Sequence, residues 1–289
     1  MTLWLPKLSN HKRTHVQSVP TPLWDPQFHV RSPIFEPLHV IAASLSQSAW
    51  PSREELTDLA SARAVTNASG FAITFGAPGT SERSAAYYER RIADTGVVEH
   101  RDSSWHDLFN ALVWMTFRRS KAALNRRHAA ELHREISGRR SAARDALTQF
   151  DEDGMLVVSE RADLLDLLRG FEWRELFWQR RTDVASSMRW LVFGHAQYEK
   201  ALRPFVGLTA KALTVKVTPG FCSTPRADQI EHLDGIAAQI IAGPGGLSAP
   251  AVLAPVPVLG IPGWSTQSEH VSFYDDHCYS RPGRRCRAA

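Results

Sequence analysis

Residues 145–159 read DALTQFDEDGMLVVS, and the way this stretch folds decides the sheet. ALTQF and MLVVS are runs of apolar and β-branched residues. They flank Asp151-Glu152-Asp153-Gly154, a short acidic turn with a glycine available for positive φ, so a β-hairpin is expected.

Upstream, residues 104–117 read SWHDLFNALVWMTF. Ser104 is placed to cap a helix, with Asp107 three positions on. Leu108, Leu112 and Met115 share one face, with Phe109 and Val113 beside them. A second helix is expected over about 120–136. Further upstream, Leu38, Ile41, Ala42 and Leu45 have helical spacing. Pro51 then opens a helix in which Ser52 and Glu55 form a capping box. GFAITFG (70–76) reads as a short strand.

Downstream, two amphipathic segments cover 161–169 and 173–188, and 190–193 is short and apolar. A helix is expected at 196–202, a strand at 213–217 and a helix at 226–242, the last stopped by Gly243-Pro244-Gly245-Gly246. The predicted fold class is therefore α+β: a helix-rich single domain over 30–282 with a small antiparallel sheet that includes the hairpin. Residues 1–29, broken by Pro6, Pro20, Pro22 and Pro26, read as a loosely ordered arm onto which Trp24 and Phe28 dock. Residues 283–289 read as a disordered basic tail.

Composition agrees with a packed domain. The chain has 289 residues, 43% hydrophobic and 22% charged, with nine tryptophans and thirteen phenylalanines. The net charge of +4 permits an acidic partner without demanding one. Three cysteines (Cys222, Cys278 and Cys286) at long spacings give no disulfide framework and no CxxC, which favours a reducing compartment. The first residues, MTLWLPKLSN, lack the apolar core of a signal peptide. The apolar stretch 249–262 is too short and proline-rich to span a bilayer. A soluble, cytoplasmic protein without membrane partners is the expectation. P-loop, dinucleotide, GxSxG, HExxH and kinase signatures are all absent.

Five polar clusters are candidate sites. His106 and Asn110 stack one turn apart, with Asp107 about 100° away; the alternative role for Asp107 is helix capping. Asp151, Glu152 and Asp153 suit a hard cation, or simply an exposed turn. His195, Glu199 and Lys200 follow Phe193-Gly194 at a strand-to-helix corner, where His195 and Glu199 suit a ligand pair or a base held by a carboxylate. Asp275, Asp276, His277 and Cys278 fit no zinc spacing. The fifth is the basic segment 118–144, a candidate footprint for phosphate or nucleic acid that is better explained as a solvated helix face.

The blocks Tyr88-Glu89, Thr95-Gly96, HDLFNALVW (106–114), Lys121 with Leu124-Asn125 and His128, RDALT (144–148), Phe150-Asp151-Glu152, FGHA (193–196), Glu199-Lys200, 257–264 and FYDD (273–276) resemble a mainly proteobacterial family recorded as a domain of unknown function. The resemblance covers roughly 30–282. Arg118 departs from it, standing where the pattern F-P-R has proline. The resemblance implies a single domain and a bacterial source, and it implies no activity, cofactor or partner.

The leading functional expectation is a hydrolase-like pocket that brings together His106, Asn110 and His195, with Asp107 and Lys211. One histidine would act as general base on water while Asn110 and Lys211 stabilise developing negative charge. It requires His106 and His195 to meet. The alternatives are a non-catalytic phosphate- or nucleic-acid-binding protein using 118–144, and a structural or assembly protein.

Overall fold

A computed structural model of the chain describes residues 23–79, 85–134 and 140–275. Two 3-10 turns, Phe28–Val30 and Pro33–Leu38, lead into α1 (His39–Ala42) and α2 (Arg53–Ala62). Ser52 caps α2 by accepting from Glu55 N. A small unit follows: β1 (Thr74–Gly76), α3 (Ala85–Thr95) and β2 (Val97–Glu99), with the two strands paired in parallel. Then come α4 (Trp105–Thr116), α5 (Arg118–Arg134), α6 (Ala142–Asp153) and β3 (Gly154–Ser159). After α7 (Ala162–Arg169) and a π-helical turn at Glu175–Gln179, the chain forms α8 (Arg181–Ser187), β4 (Met188–Val192) and α9 (His195–Ala201). It finishes with β5 (Thr209–Lys216), α10 (Arg226–Ala242) and β6 (Ala254–Pro257).

The helix-rich α+β class is as expected, but the hairpin at 145–159 does not form. Residues 142–153 are α6, and the strand starts only at Gly154. Ser141 caps the helix by accepting from Arg144 N, and Ala146, Leu147 and Phe150 are buried along one face. That spacing satisfies a helix as well as a strand, and the acidic residues form the last helical turn rather than a β-turn. Gly154 has φ −68° and ψ 149°, extended backbone that begins β3. The sheet is mixed, in the order β4-β3-β5-β6. β3 runs antiparallel to β4 and parallel to β5, and β5 runs antiparallel to β6. Its central strand β3 is buried on both faces, as the uninterrupted run MLVV requires.

α4 is the helix around which the others pack: nine of its twelve residues are buried. Aromatic rings carry its contacts outward. Trp24 stacks on Trp105 at 5.4 Å, Trp105 on Phe109 at 5.5 Å, and Phe109 on Tyr198 of α9 at 5.6 Å. The described part of the N-terminal arm joins this stack, with Phe28 fully buried. The basic tail at 283–289 lies outside the described residues. Among the described residues, no helix is long and apolar enough to cross a membrane.

The join between α6 and α9 is backbone against backbone. Gly154 O accepts from both Phe193 N and Gly194 N at 2.9 Å. A Cβ on Gly194 would lie 2.4 Å from Glu152 O and from Gly154 N. A Cβ on Gly154 would lie 2.1 Å from Phe150 O. At Gly194 no side chain fits unless the two helix ends part, whereas at Gly154 the obstacle is the last turn of α6 itself. Gly194→Ala is therefore expected to lower stability by about 3 kcal/mol or more in urea unfolding. Gly207→Ala, at φ 102° with open space around it, should cost only about 1 kcal/mol for backbone strain. Similar losses in the two variants would disprove the close-approach account.

Candidate functional site

The helix packing leaves a cleft of about 600 Å³ walled by α3, α4, α5, α6 and the start of α9. His106 enters from α4 and His195 from α9. Their Nε2 atoms stand 3.1 Å apart, and their rings meet at 75° with centroids 4.5 Å apart. The two sequence candidates that had to meet do meet. Glu152, in the last turn of α6, brings Oε2 to 3.7 Å from His195 Nε2. Each of the three offers a ligand atom, and these atoms lie within 4.8 Å of one another.

The geometry of the imidazole pair is informative. A head-on N–H···N bond of this length would set the ring centroids about 5.4 Å apart. The observed 4.5 Å means that the two rings are not collinear along the N···N line. Two imidazole nitrogens on one tetrahedral zinc, each at about 2.0–2.1 Å, stand roughly 3.3 Å apart. His29 and His39 also meet at 3.1 Å, through Nδ1, but no carboxylate completes a trio there; among the described residues only His106, Glu152 and His195 form such a group.

The outer nitrogens face carboxylates. His106 Nδ1 is 2.9 Å from Glu199 Oε2, and this bond holds the His106 pKa above its usual value despite the opposing effect of burial. His195 Nδ1 is buried without a hydrogen-bond partner, its nearest carboxylate being Asp151 Oδ2 at 3.8 Å. Burial, reinforced by Lys121 and His106, pushes His195 down to about 3 against the pull of Asp151, so its imidazole stays neutral. Burial and the neighbouring Asp151 hold Glu152 above the usual carboxylate range.

Asn110 and Asp107 support the site and do not offer free groups to it. Asn110 Nδ2 donates to Tyr88 OH at 2.8 Å, and its Oδ1 accepts from Lys121 Nζ at 2.9 Å. Asp107 accepts from Arg101 N, Nε and Nη2 at 2.7–2.8 Å. Burial opposes its ionisation, but Arg101 outweighs burial and holds its pKa low. Its job is to fasten the loop before α4 to the first turn of that helix.

Lys211 is not at the site. It sits on β5, opposite Gly154 on one side and Pro255 on the other, within the sheet, and does not line the cleft. The lysine in the site is Lys121, buried and bonded to Asp151 Oδ1 at 2.6 Å. Burial raises the Asp151 pKa, and Lys121 reverses this, so the carboxylate stays ionised. Lys200 points elsewhere, to Asp153. Asp275 pairs with Arg174, while Asp276, His277 and Cys278 lie outside the described residues.

Most arginines of α5 are used within the fold. Arg118 and Arg119 pair with Glu231 of α10. Arg127 donates to Ile241 O and Gly243 O at the end of α10, and Arg134 pairs with Glu131.

Three contributors were not singled out as site residues in the sequence. Glu89 accepts from Asn125 Nδ2 at 2.8 Å; burial and then Asp151 push it up to about 7. His128 is buried and pushed down to about 4 by desolvation. Arg144 lines the cleft with only 8% of its surface exposed. A signal was present: Lys121, Asn125 and His128 fall at i, i+4 and i+7, a polar stripe on the inward face of α5.

A family model described as "Protein of unknown function (DUF3025)" matches residues 73–284. The chain belongs to that family. No curated protein and no solved structure matches it.

The buried histidine gives a pH prediction. Below about pH 6.5 the unfolded chain takes up a proton that folded His128 refuses until about pH 4, so its contribution to stability is lost as pH falls through that window. Glu89 acts oppositely. The folded chain holds its proton up to about pH 7, and that contribution is lost as pH rises from 4.5. Measured against the parent, His128→Leu should gain about 2 kcal/mol in relative stability between pH 7.5 and pH 5. A difference that does not move with pH would show that His128 titrates normally.

Proposed function

We propose that this DUF3025 chain is a metal-dependent hydrolase whose centre is held by His106, His195 and Glu152. The observation that carries the proposal is the grouping of two imidazole Nε2 atoms and a carboxylate oxygen within 4.8 Å of one another on the cleft wall. Two histidines and one carboxylate are a sufficient protein ligand set for zinc and leave a position for water. A divalent metal there supplies a Lewis acid and makes water a nucleophile near neutral pH.

The surrounding residues have matching roles. Glu199 accepts from His106 Nδ1–H and so presents the Nε2 lone pair inward. Asp151, kept ionised by Lys121, stands behind His195 at 3.8 Å from Nδ1, beyond hydrogen-bond reach. Lys121 is enclosed behind Asn110 and Asp151, so it acts on the site through them. Glu89, facing the same cleft with a pKa near neutrality, can take and return a proton during turnover. The setting in this reading is a reducing bacterial cytoplasm, supported by the family resemblance and by Cys222, a buried free thiol.

Elemental analysis of protein purified without a metal-binding tag should find one equivalent of zinc or a similar transition metal. His106→Ala, His195→Ala and Glu152→Ala should lose it. Glu199→Gln should keep the site and weaken its affinity about 10–100-fold. Cobalt-loaded protein should show a tetrahedral absorption spectrum that vanishes in the ligand variants. Absence of metal, together with no cobalt or zinc binding at micromolar concentration, would overturn the proposal.

A further inference from the structure

Lys121 is a buried ammonium whose two partners lead to the two sides of the cleft. Its Nζ donates to Asp151 Oδ1 at 2.6 Å, behind His195, and to Asn110 Oδ1 at 2.9 Å. An ammonium can only donate, so the Asn110 atom facing it is the carbonyl oxygen. The amide nitrogen then faces Tyr88 and donates in turn, to the phenol oxygen at 2.8 Å. With that oxygen accepting, the phenol O–H has to point away from Asn110. Asn110 is its one hydrogen-bond partner among the described residues, and Tyr88 lines the cleft.

The donor end of this relay lies on the wall that carries His106. Asn110 follows His106 by one turn of α4, with Cβ atoms about 5–6 Å apart. Helical side chains lean towards the N-terminal end, here towards His106. Burial, reinforced by Glu89 and Asp151, holds the Tyr88 pKa well above its usual value, so the phenol keeps its proton. It is a neutral donor whose direction is fixed by a buried charge, which suits a single developing negative charge. The acids Glu89, Asp151 and Glu152 on the same cleft disfavour a substrate that arrives already doubly charged.

Resting on the metal-centre reading, we infer that Tyr88 is a catalytic residue, donating its O–H to the oxyanion formed from an uncharged carboxylic ester or amide. Water adds to the carbonyl carbon as its proton passes to Glu89. The π pair moves onto the carbonyl oxygen, where the Tyr88 O–H meets it. On collapse that pair re-forms the C=O bond. The bond to the leaving group breaks with its electrons, and the leaving group takes the proton from Glu89. Tyr88 keeps its own proton throughout, and Lys121 and Asn110 are positioning residues.

Two probes test this on the cobalt-loaded full chain, with affinities read from the cobalt spectrum. Acetohydroxamate binds a metal through oxygens that also accept hydrogen bonds. Ethanethiol binds through sulfur, a weak acceptor. Tyr88→Phe should weaken acetohydroxamate by about 10-fold or more, leaving ethanethiol affinity and cobalt content unchanged. Asn110→Asp keeps the phenol but offers it a carboxylate, which only accepts, so the O–H turns away from the cleft. This variant should lose as much acetohydroxamate affinity as Tyr88→Phe, and the double variant should lose no more. The parent should also bind acetate more tightly than inorganic phosphate near neutral pH. Unchanged acetohydroxamate affinity in Tyr88→Phe would overturn the inference. Full affinity in folded Asn110→Asp would do so whether or not Tyr88→Phe folds. Tighter binding of phosphate than of acetate would overturn the acyl substrate class. Cobalt uptake without any acetohydroxamate binding would overturn the inference and leave the metal centre standing. No cobalt uptake would overturn the metal centre, and the inference with it.

Discussion

The architecture of the cleft depends on one backbone contact. The end of α6 and the start of α9 touch at Gly154 and Gly194, with Gly154 O receiving two amides from the incoming chain. No side chain fits between them, so Glu152 is brought against His195 without any long-range attraction between the two. Phe193, immediately before this corner, stacks on Phe150 at 4.6 Å and tilts against Phe117 at 5.4 Å. Those apolar contacts press the corner onto α6 and the α4–α5 junction. The hydrophobic effect thus supplies the force, and Gly194 supplies the closeness.

His106 is placed by a different route. It lies on α4, whose remaining faces are occupied by core packing, and the aromatic series through Phe109 and Tyr198 sets α4 against α9. Tyr198 is itself anchored, its hydroxyl donating to Val192 O at the end of β4. A rigid sheet edge, a helix that cannot rotate and a glycine corner together bring two imidazoles to 3.1 Å. Protonated imidazoles would repel at that distance, and the burial that holds His195 neutral removes the repulsion.

The polar groups behind the site form a layered support. Lys121 is buried with Asp151 and Asn110 as partners, and Asn110 holds Tyr88 in turn. Taking such charges out of water is costly unless each is paired. Here the pairing runs across three helices, α4, α5 and α6, which ties their relative positions to the electrostatics of the cleft. The arginines on the outer side of α5 serve a different purpose, clamping α10 through Glu231 and the carbonyls at its C-terminus.

Local physics made much of the chain readable from sequence alone. The capped helix at 105–116, the Ser52 cap of the helix at 53–62 and the helix at 226–242 all rest on near-neighbour interactions. His106 and His195 stood out because polar residues interrupted apolar runs. Residues 145–153 defeated the same approach, because ALTQF carries apolar groups at spacings that serve a strand or a helix, and Ser141 capping decided for the helix. Lys211 was favoured over Lys121 for want of any local cue to which lysine faces inward, and only the packing of α5 against α3 and α6 buries Lys121 beside Asp151. Sequence alone determined the types of residue available for chemistry and most of the helices that carry them. Tertiary structure decided which of them meet, because the site draws on segments nearly a hundred residues apart and its distances are set by glycine contacts and aromatic packing that no local pattern encodes.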